Sequence, residues 1–110
     1  MQKSTCYRLM KNKTTGASEY VITDTWLEIF KDSSGKEFRV HFHKVKTGEG
    51  ELWSATEEST GLRCVRREYQ LRREAYADIV EFLPHFNAIM SRYTHYHEKL
   101  RYWKEVNNIK

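Results

Sequence analysis

Proline, glycine and cysteine are all scarce in this chain: one proline, five glycines and two cysteines in 110 residues. So few glycines and prolines leave no room for a long flexible linker, and we expect one domain covering residues 1–110. Cys6 and Cys64 lie far apart and form no CxxC motif. The sequence therefore indicates reduced thiols and a cytoplasmic protein, without a disulfide scaffold.

Long apolar runs and catalytic motifs are also missing. No window reaches the length of a membrane span, and the first residues, MQKSTCYRLMKNK, lack the apolar centre of a signal peptide. GxSxG, P-loop, GxGxxG and HExxH motifs are absent from the sequence. The five histidines have no spacing that would gather three or four metal ligands. We therefore expect a non-enzymatic protein with no catalytic residues, metal or cofactor.

Charge and aromatic side chains are abundant by comparison. Charged residues make up 31% of the chain, aromatic residues 14%, and the formal net charge is +4. This composition is typical of a folded protein and permits an anionic partner without requiring one. It excludes a disordered or low-complexity chain.

Residues 1–68 read mainly as strands. In EFRVHFHKV, Phe38, Val40 and Phe42 alternate with Arg39, His41 and His43, which predicts a strand with one face toward the core. EYVITDTWLEIF is rich in β-branched and aromatic residues, as strands are, and LWSAT and LRCVR read as two further short strands. Gly61 is suited to the left-handed position that closes the hairpin between these two. TCYRLMK is a candidate edge strand.

Residues 69–107 change to a helical period. Apolar residues recur at alternating spacings of four and three, which predicts one stripe along a helix; they are Ala75, Ile79, Phe82, Phe86, Ile89, Tyr93, Tyr96, Leu100 and Trp103. An unbroken helix of this length would extend roughly 58 Å, much further than a small sheet. Either Pro84 kinks or breaks it and the second half folds back, or the far half packs on a second copy. We favour a kink at Pro84. The fold class predicted is α+β, an antiparallel sheet of about four to five strands packed on a long C-terminal helix.

Five arginines lie close together at the junction between the strands and the helix. They are Arg63, Arg66, Arg67, Arg72 and Arg73. With a helix start near Tyr69, Arg72 and Arg73 oppose the helix dipole, which costs about 0.3–1 kcal/mol each at an exposed site. Helix stability does not explain them, whereas an anion held by guanidinium groups and helix-start N–H groups does. The alternative is that they are simply solvated.

Two other features bear on binding. Arg39, His41 and His43 should face away from the helix and extend the basic surface across the sheet, although a polar outer face is also ordinary for an antiparallel sheet. The aromatic residues of the helix, with Trp26 and Trp53, could stack on bases, but helical spacing favours core and dimer contacts. The candidate dimer interface consists of Phe86, Ile89, Tyr93, Tyr96, Leu100 and Trp103.

The leading hypothesis from the sequence is a small binding protein whose basic surface contacts nucleic acid or a nucleic-acid-bound complex, as a homodimer through the C-terminal helix. In this hypothesis the five arginines hold phosphates, and Arg39, His41 and His43 extend the site. The competing hypothesis is an inhibitor or adaptor that binds an acidic surface on a partner protein, since arginine and tyrosine are favoured interface anchors.

Overall fold

The computed structural model describes residues 1–109 and has an α+β fold, with a four-stranded antiparallel sheet followed by C-terminal helices. The strands follow one another in space in the order β1-β2-β3-β4: β1 (Gln2–Lys11), β2 (Ser18–Lys31), β3 (Glu37–Thr47) and β4 (Gly50–Glu57). The helical elements are α1 (Arg72–Phe82), a 3₁₀ turn (Leu83–His85), α2 (Phe86–Ser91) and α3 (Thr94–Val106). The predicted fold class is confirmed, with four strands where four to five were expected.

The segment LRCVR does not form the fifth strand that its pattern predicts. It begins along β4, where Glu57 N donates to Leu62 O and Cys64 N donates to Ala55 O. The backbone N–H of Arg66 then donates to the Asp78 carboxylate instead of continuing the ladder. The segment returns to β4 only at Tyr69, whose backbone exchanges two hydrogen bonds with Trp53. A side chain from α1 therefore ends the pairing, which no pattern within the segment could indicate.

The apolar core lies between the sheet and the first two helices. Phe38, Val40 and Phe42 of β3 are buried there, as the alternation predicts. The helices contribute buried side chains from the expected stripe, namely Ala75, Ile79, Phe86 and Met90. Tyr76 adds ring contacts, with its centroid 5.1 Å from that of Phe30 and 6.0 Å from that of Phe42.

The sheet curls until its two ends meet. Gly61, in the turn after β4, accepts a hydrogen bond through its carbonyl oxygen from Leu9 N of β1 at 2.9 Å. Gly61 has a φ of 72°, in the left-handed region that the sequence predicts for it. The curl accounts for a second buried layer on the face opposite the helices. That layer is mostly polar and includes Cys6, Thr25, Leu27, His41, His43, Ser54 and Thr56.

The helical region is bent, and the molecule is only 36 Å in its longest dimension. A straight helix from residue 72 to 106 would measure about 52 Å. Pro84 lies in the 3₁₀ turn between α1 and α2, so the regular α-helix is interrupted there while the helical path continues. The larger break falls at Arg92 and Tyr93, after which α3 packs back on β1 and β2 through Trp103.

The helical start also differs from the prediction. It lies at Arg72 and not at Tyr69, because Tyr69 pairs with β4 and Leu71 is extended. Glu74 caps this start by accepting a hydrogen bond from Leu71 N at 3.0 Å. Among the helices formed by residues 1–109, none has the length and apolar character needed to cross a membrane.

Candidate functional site

The clustered arginines divide into paired and unpaired groups. Arg63 donates to Glu68 at 3.0 Å, and Arg66 donates to Asp78 and Glu81, each at 2.9 Å. Within residues 1–109, the structure gives no ion-pair carboxylate to the others, which are Arg67, Arg72 and Arg73. The five arginines predicted as one anion-binding group are therefore not equivalent, and Arg63 and Arg66 are partly neutralised by the chain itself.

Arg66 has a structural role. Its Nε donates to Asp78 Oδ1 and its backbone N–H to Asp78 Oδ2, both at 2.9 Å, while the Tyr69 hydroxyl donates to Oδ2 at 2.6 Å. The guanidinium also covers the Phe82 ring at 4.1 Å from its centroid. Burial alone would raise the pKa of Asp78, but the hydrogen bonds from Tyr69 and Arg66 outweigh it and hold the pKa below its usual value. This cluster fastens α1 to the segment that follows β4.

His41 and His43 do not lie on an exposed basic face, so this part of the prediction is wrong. Their exposed fractions are 0% and 1%. His41 lies between Thr25 and Glu58, with Nδ1 2.7 Å from Thr25 Oγ1 and Nε2 2.9 Å from Glu58 Oε1. The curled sheet encloses both rings, and they contribute to its polar interior instead of to a binding surface.

His43 is buried with fewer partners than His41. Its Nε2 lies 2.8 Å from Thr56 Oγ1, and its Nδ1 has no hydrogen-bond partner within the described residues. Burial, followed by the positive charge of Arg8, lowers the pKa of His43 to about 4. The ring is therefore neutral at physiological pH and supplies no positive charge to the outer surface.

Arg39 is exposed as predicted but carries a partner. Its Nε donates to Glu58 Oε2 at 2.8 Å. Burial would raise the pKa of Glu58, but the hydrogen bond from His41 and the charge of Arg39 outweigh it and leave that pKa lowered. Arg39, Glu58 and His41 thus form one internal network, with Arg39 as its exposed end.

Two of the unpaired arginines stand beside aromatic rings. The Arg72 guanidinium lies 5.7 Å from the centroid of the Trp53 ring, and that of Arg67 lies 5.1 Å from the centroid of Tyr69. Lys44 Nζ lies 5.6 Å from the Trp53 centroid. Trp26 meets Trp53 edge to face at 5.4 Å. We call these residues the Trp53 surface: Trp26, Lys44, Trp53, Arg67, Tyr69 and Arg72.

The strand register makes this surface continuous. Trp53 of β4 pairs with Lys44 of β3, so both side chains emerge on the same face of the sheet. On the other side, Trp53 exchanges backbone hydrogen bonds with Tyr69 at 2.6 and 2.8 Å. α1 begins three residues later, which brings Arg72 to the same ring. Arg73 follows it and shares with Arg72 the lining of an adjoining 430 Å³ cleft.

Lys44 was not among the residues predicted from the sequence. The alternation of β3 places it on the face of Phe38, Val40 and Phe42, which reads as the core face. The core ends before this position, because α1 begins opposite Trp53 and leaves Lys44 exposed. The change from apolar to basic residues along one face of β3, from Phe42 to Lys44 and Lys46, was the available signal.

The predicted dimer residues occupy several environments. Phe86 and Leu100 are buried within the single chain, so they are not accessible to a second copy in this arrangement. Trp103 packs on Tyr7 and Tyr20, with ring centroids 5.3 and 5.6 Å apart. Ile89, Tyr93 and Tyr96 line a largely apolar cavity of about 420 Å³ beside Cys64 and Val65. Dimerisation itself stays a prediction.

The potential metal ligands among the described residues are dispersed. Across residues 1–109, no three histidine, cysteine, aspartate or glutamate side chains converge as ligands of one ion would. Burial raises the pKa of the Cys6 thiol to about 12 and that of Cys64 well above its usual value, so neither is an activated thiolate.

Comparison with protein-family models, with curated proteins and with solved structures finds no match to this chain.

Proposed function

We propose that this is a small non-enzymatic binding protein that holds nucleic acid through the Trp53 surface. The observation that carries the proposal is the division of the cations. Arg39, Arg63 and Arg66 contact carboxylates, whereas Lys44, Arg67 and Arg72 stand over aromatic rings and are exposed. Cations without an internal counter-charge remain free to neutralise phosphates. A cytoplasmic location belongs to the same proposal, because both cysteines are free thiols.

Arginine is well suited to this role at a helix start. Arg72 and Arg73 occupy the first two positions of α1, where positive charge is unfavourable for the helix. Glu74 offsets part of that cost through its hydrogen bond to Leu71 N. A phosphate beside these side chains would remove the remaining unfavourable charge and accept bidentate hydrogen bonds from the guanidinium groups. Nucleic acid therefore gives these arginines a function that the folded chain alone does not.

The proposal is tested by titrating labelled oligonucleotides, single-stranded and duplex, at two salt concentrations. The informative variant is Arg67→Glu with Arg72→Glu, which reverses two unpaired charges of the Trp53 surface. We expect it to abolish measurable binding at low salt, since phosphate contacts supply most of the affinity of such surfaces. Arg66→Glu is unsuitable, because it would also break the contacts to Asp78.

A matched control is Lys11→Glu with Lys13→Glu. Both residues are exposed and, within residues 1–109, neither contacts a carboxylate in an ion pair; Lys11 ends β1, and Lys13 lies in the turn between β1 and β2. The change in net charge is the same, so a specific effect requires that the control keeps its affinity. Equal losses in the two variants, or no binding by the unmodified protein at low salt, would contradict the proposal. In the second case the competing hypothesis, an adaptor or inhibitor for an acidic protein surface, becomes the leading one.

A further inference from the structure

The side chains around Trp53 suggest which form of nucleic acid this surface takes. The backbone of Trp53 is hydrogen-bonded on both sides, to β3 through the strand ladder and to Tyr69 through two hydrogen bonds. The edge-to-face contact with Trp26, at an interplanar angle of 62°, holds the indole ring in one orientation. Trp53 is half-buried, so part of its indole ring remains accessible. An ordered, accessible aromatic ring is a stacking platform.

A base could displace the two cations that lie over the Trp53 ring. Lys44 Nζ and the Arg72 guanidinium lie 5.6 and 5.7 Å from the ring centroid, near the outer limit of a cation–π contact. Both side chains are long, flexible and exposed, and within residues 1–109 neither forms an ion pair. Moving them away from the ring therefore breaks no ion pair. A base on the indole would leave both cations beside the adjoining phosphates.

A duplex cannot use such a platform without being distorted. Its bases are stacked on one another, and only their edges and the phosphates face a protein. In a single strand the base faces are free, and aromatic side chains stack on them with little dependence on sequence. Resting on the proposed function above, we infer that the Trp53 surface takes single-stranded nucleic acid, with one base stacked on Trp53 and the flanking phosphates on Lys44 and Arg72.

The first test compares a labelled oligothymidylate with a labelled duplex of matched length. We expect tighter binding of the single strand. Trp53→Leu should weaken single-strand binding roughly 5-fold to 150-fold, the range for loss of one base stack, and leave duplex binding unchanged. Trp53→Phe keeps an aromatic face and should retain most of the affinity. Circular dichroism of both variants checks that they remain folded.

A second measurement does not require the loss of Trp53. The chain has three tryptophans, so Trp26→Phe with Trp103→Phe leaves Trp53 as the only indole. Stacking of a base should quench its fluorescence as oligothymidylate is added, in parallel with binding. Trp26→Phe with Trp53→Phe leaves Trp103 as the only indole and serves as the control, which should not be quenched, since Trp103 packs on Tyr7 and Tyr20 and is not part of the Trp53 surface.

The outcomes separate this inference from the proposed function. The inference would be wrong if single strand and duplex bound with equal affinity, Trp53→Leu had no effect and oligothymidylate caused no quenching. If Arg67→Glu with Arg72→Glu still abolished the binding of both nucleic acids, the proposed function would be retained, with phosphate contacts as its basis. If neither nucleic acid bound at low salt, both would be wrong.

Discussion

At the scale of single residues, a basic side chain in a cluster can belong either to the fold or to a surface, and its partner decides which. Arg66 and Arg67 are neighbours in sequence. The first is held by the buried Asp78, and the second lies over the Tyr69 ring. The sequence shows a run of arginines, but not which of them meets a carboxylate twelve residues away. This is why the arginines could be predicted as a group but not assigned individually.

Asp78 should therefore be important for stability. It is 3% exposed and accepts hydrogen bonds from Arg66 and from the Tyr69 hydroxyl. We expect Asp78→Ala to lower the free energy of unfolding by about 1–3 kcal/mol, because partly buried donors lose their acceptor. Asp78→Asn keeps the shape and one acceptor oxygen and should cost less. Urea denaturation measures both, and an unchanged midpoint for Asp78→Ala would contradict this role.

His43 should make stability depend on pH. Its pKa is lowered from 6.5 to about 4, so below pH 6.5 the unfolded chain takes up a proton that the folded protein does not. The free energy of unfolding is therefore unaffected by this group above pH 6.5 and decreases as the pH falls from 6.5 toward 4. The total decrease is roughly 3 kcal/mol, at about 1.4 kcal/mol per pH unit. Urea midpoints between pH 7 and pH 4.5 should fall in the unmodified protein.

The matched variant for this effect is His43→Gln, which keeps a polar side chain but cannot take up a proton in this range. Its midpoints should be lower than those of the unmodified protein at pH 7 but should change much less between pH 7 and pH 4.5. A pH dependence equal to that of the unmodified protein would show that another group is responsible.

At the scale of elements, sequence patterns predicted the strands better than the boundaries of the helices. The alternation in β3 and the β-branched residues of β2 follow from local physics, and these strands are present. No glycine or proline near Arg92 and Tyr93 predicts the helix break there. The break places α3 where Trp103 contacts Tyr7 and Tyr20, which are distant in sequence. The burial of His41 likewise depends on Thr25 and Glu58, which come from other segments.

The turn after β4 gives a prediction at this scale. A Cβ added to Gly61 would lie 2.7 Å from Tyr7 O and 2.7 Å from Tyr20 Cε1, at a φ of 72°. Gly61→Ala should destabilise the protein by about 2–5 kcal/mol, combining left-handed strain with overpacking against the backbone. Gly48→Ala is the control, because no atom lies within 4 Å of its added Cβ. Equal thermal midpoints for the two variants would contradict this account of the curl.

At the scale of the whole molecule, the apolar stripe of the helical region is largely used within one chain. Phe86 and Leu100 are buried in the core, so a dimer through the predicted residues would use the accessible ones around the 420 Å³ cavity, among them Tyr93. We expect light scattering to show a concentration-dependent dimer, and Tyr93→Arg to shift it toward monomer by placing a charge in the contact. Tyr102→Arg changes an exposed tyrosine outside that lining and serves as the control. A strict monomer at high concentration would rule out this dimer.

The most direct test of nucleic-acid binding by the Trp53 surface is the salt dependence of oligothymidylate affinity, compared between the unmodified protein and Arg67→Ala with Arg72→Ala. Each phosphate contact contributes about 0.7 to the slope of log K against log salt for single strands. Loss of two contacts should therefore make the slope shallower by about 1.4, while Lys11→Ala with Lys13→Ala should leave it unchanged. A slope that is the same in all three proteins would contradict the central claim.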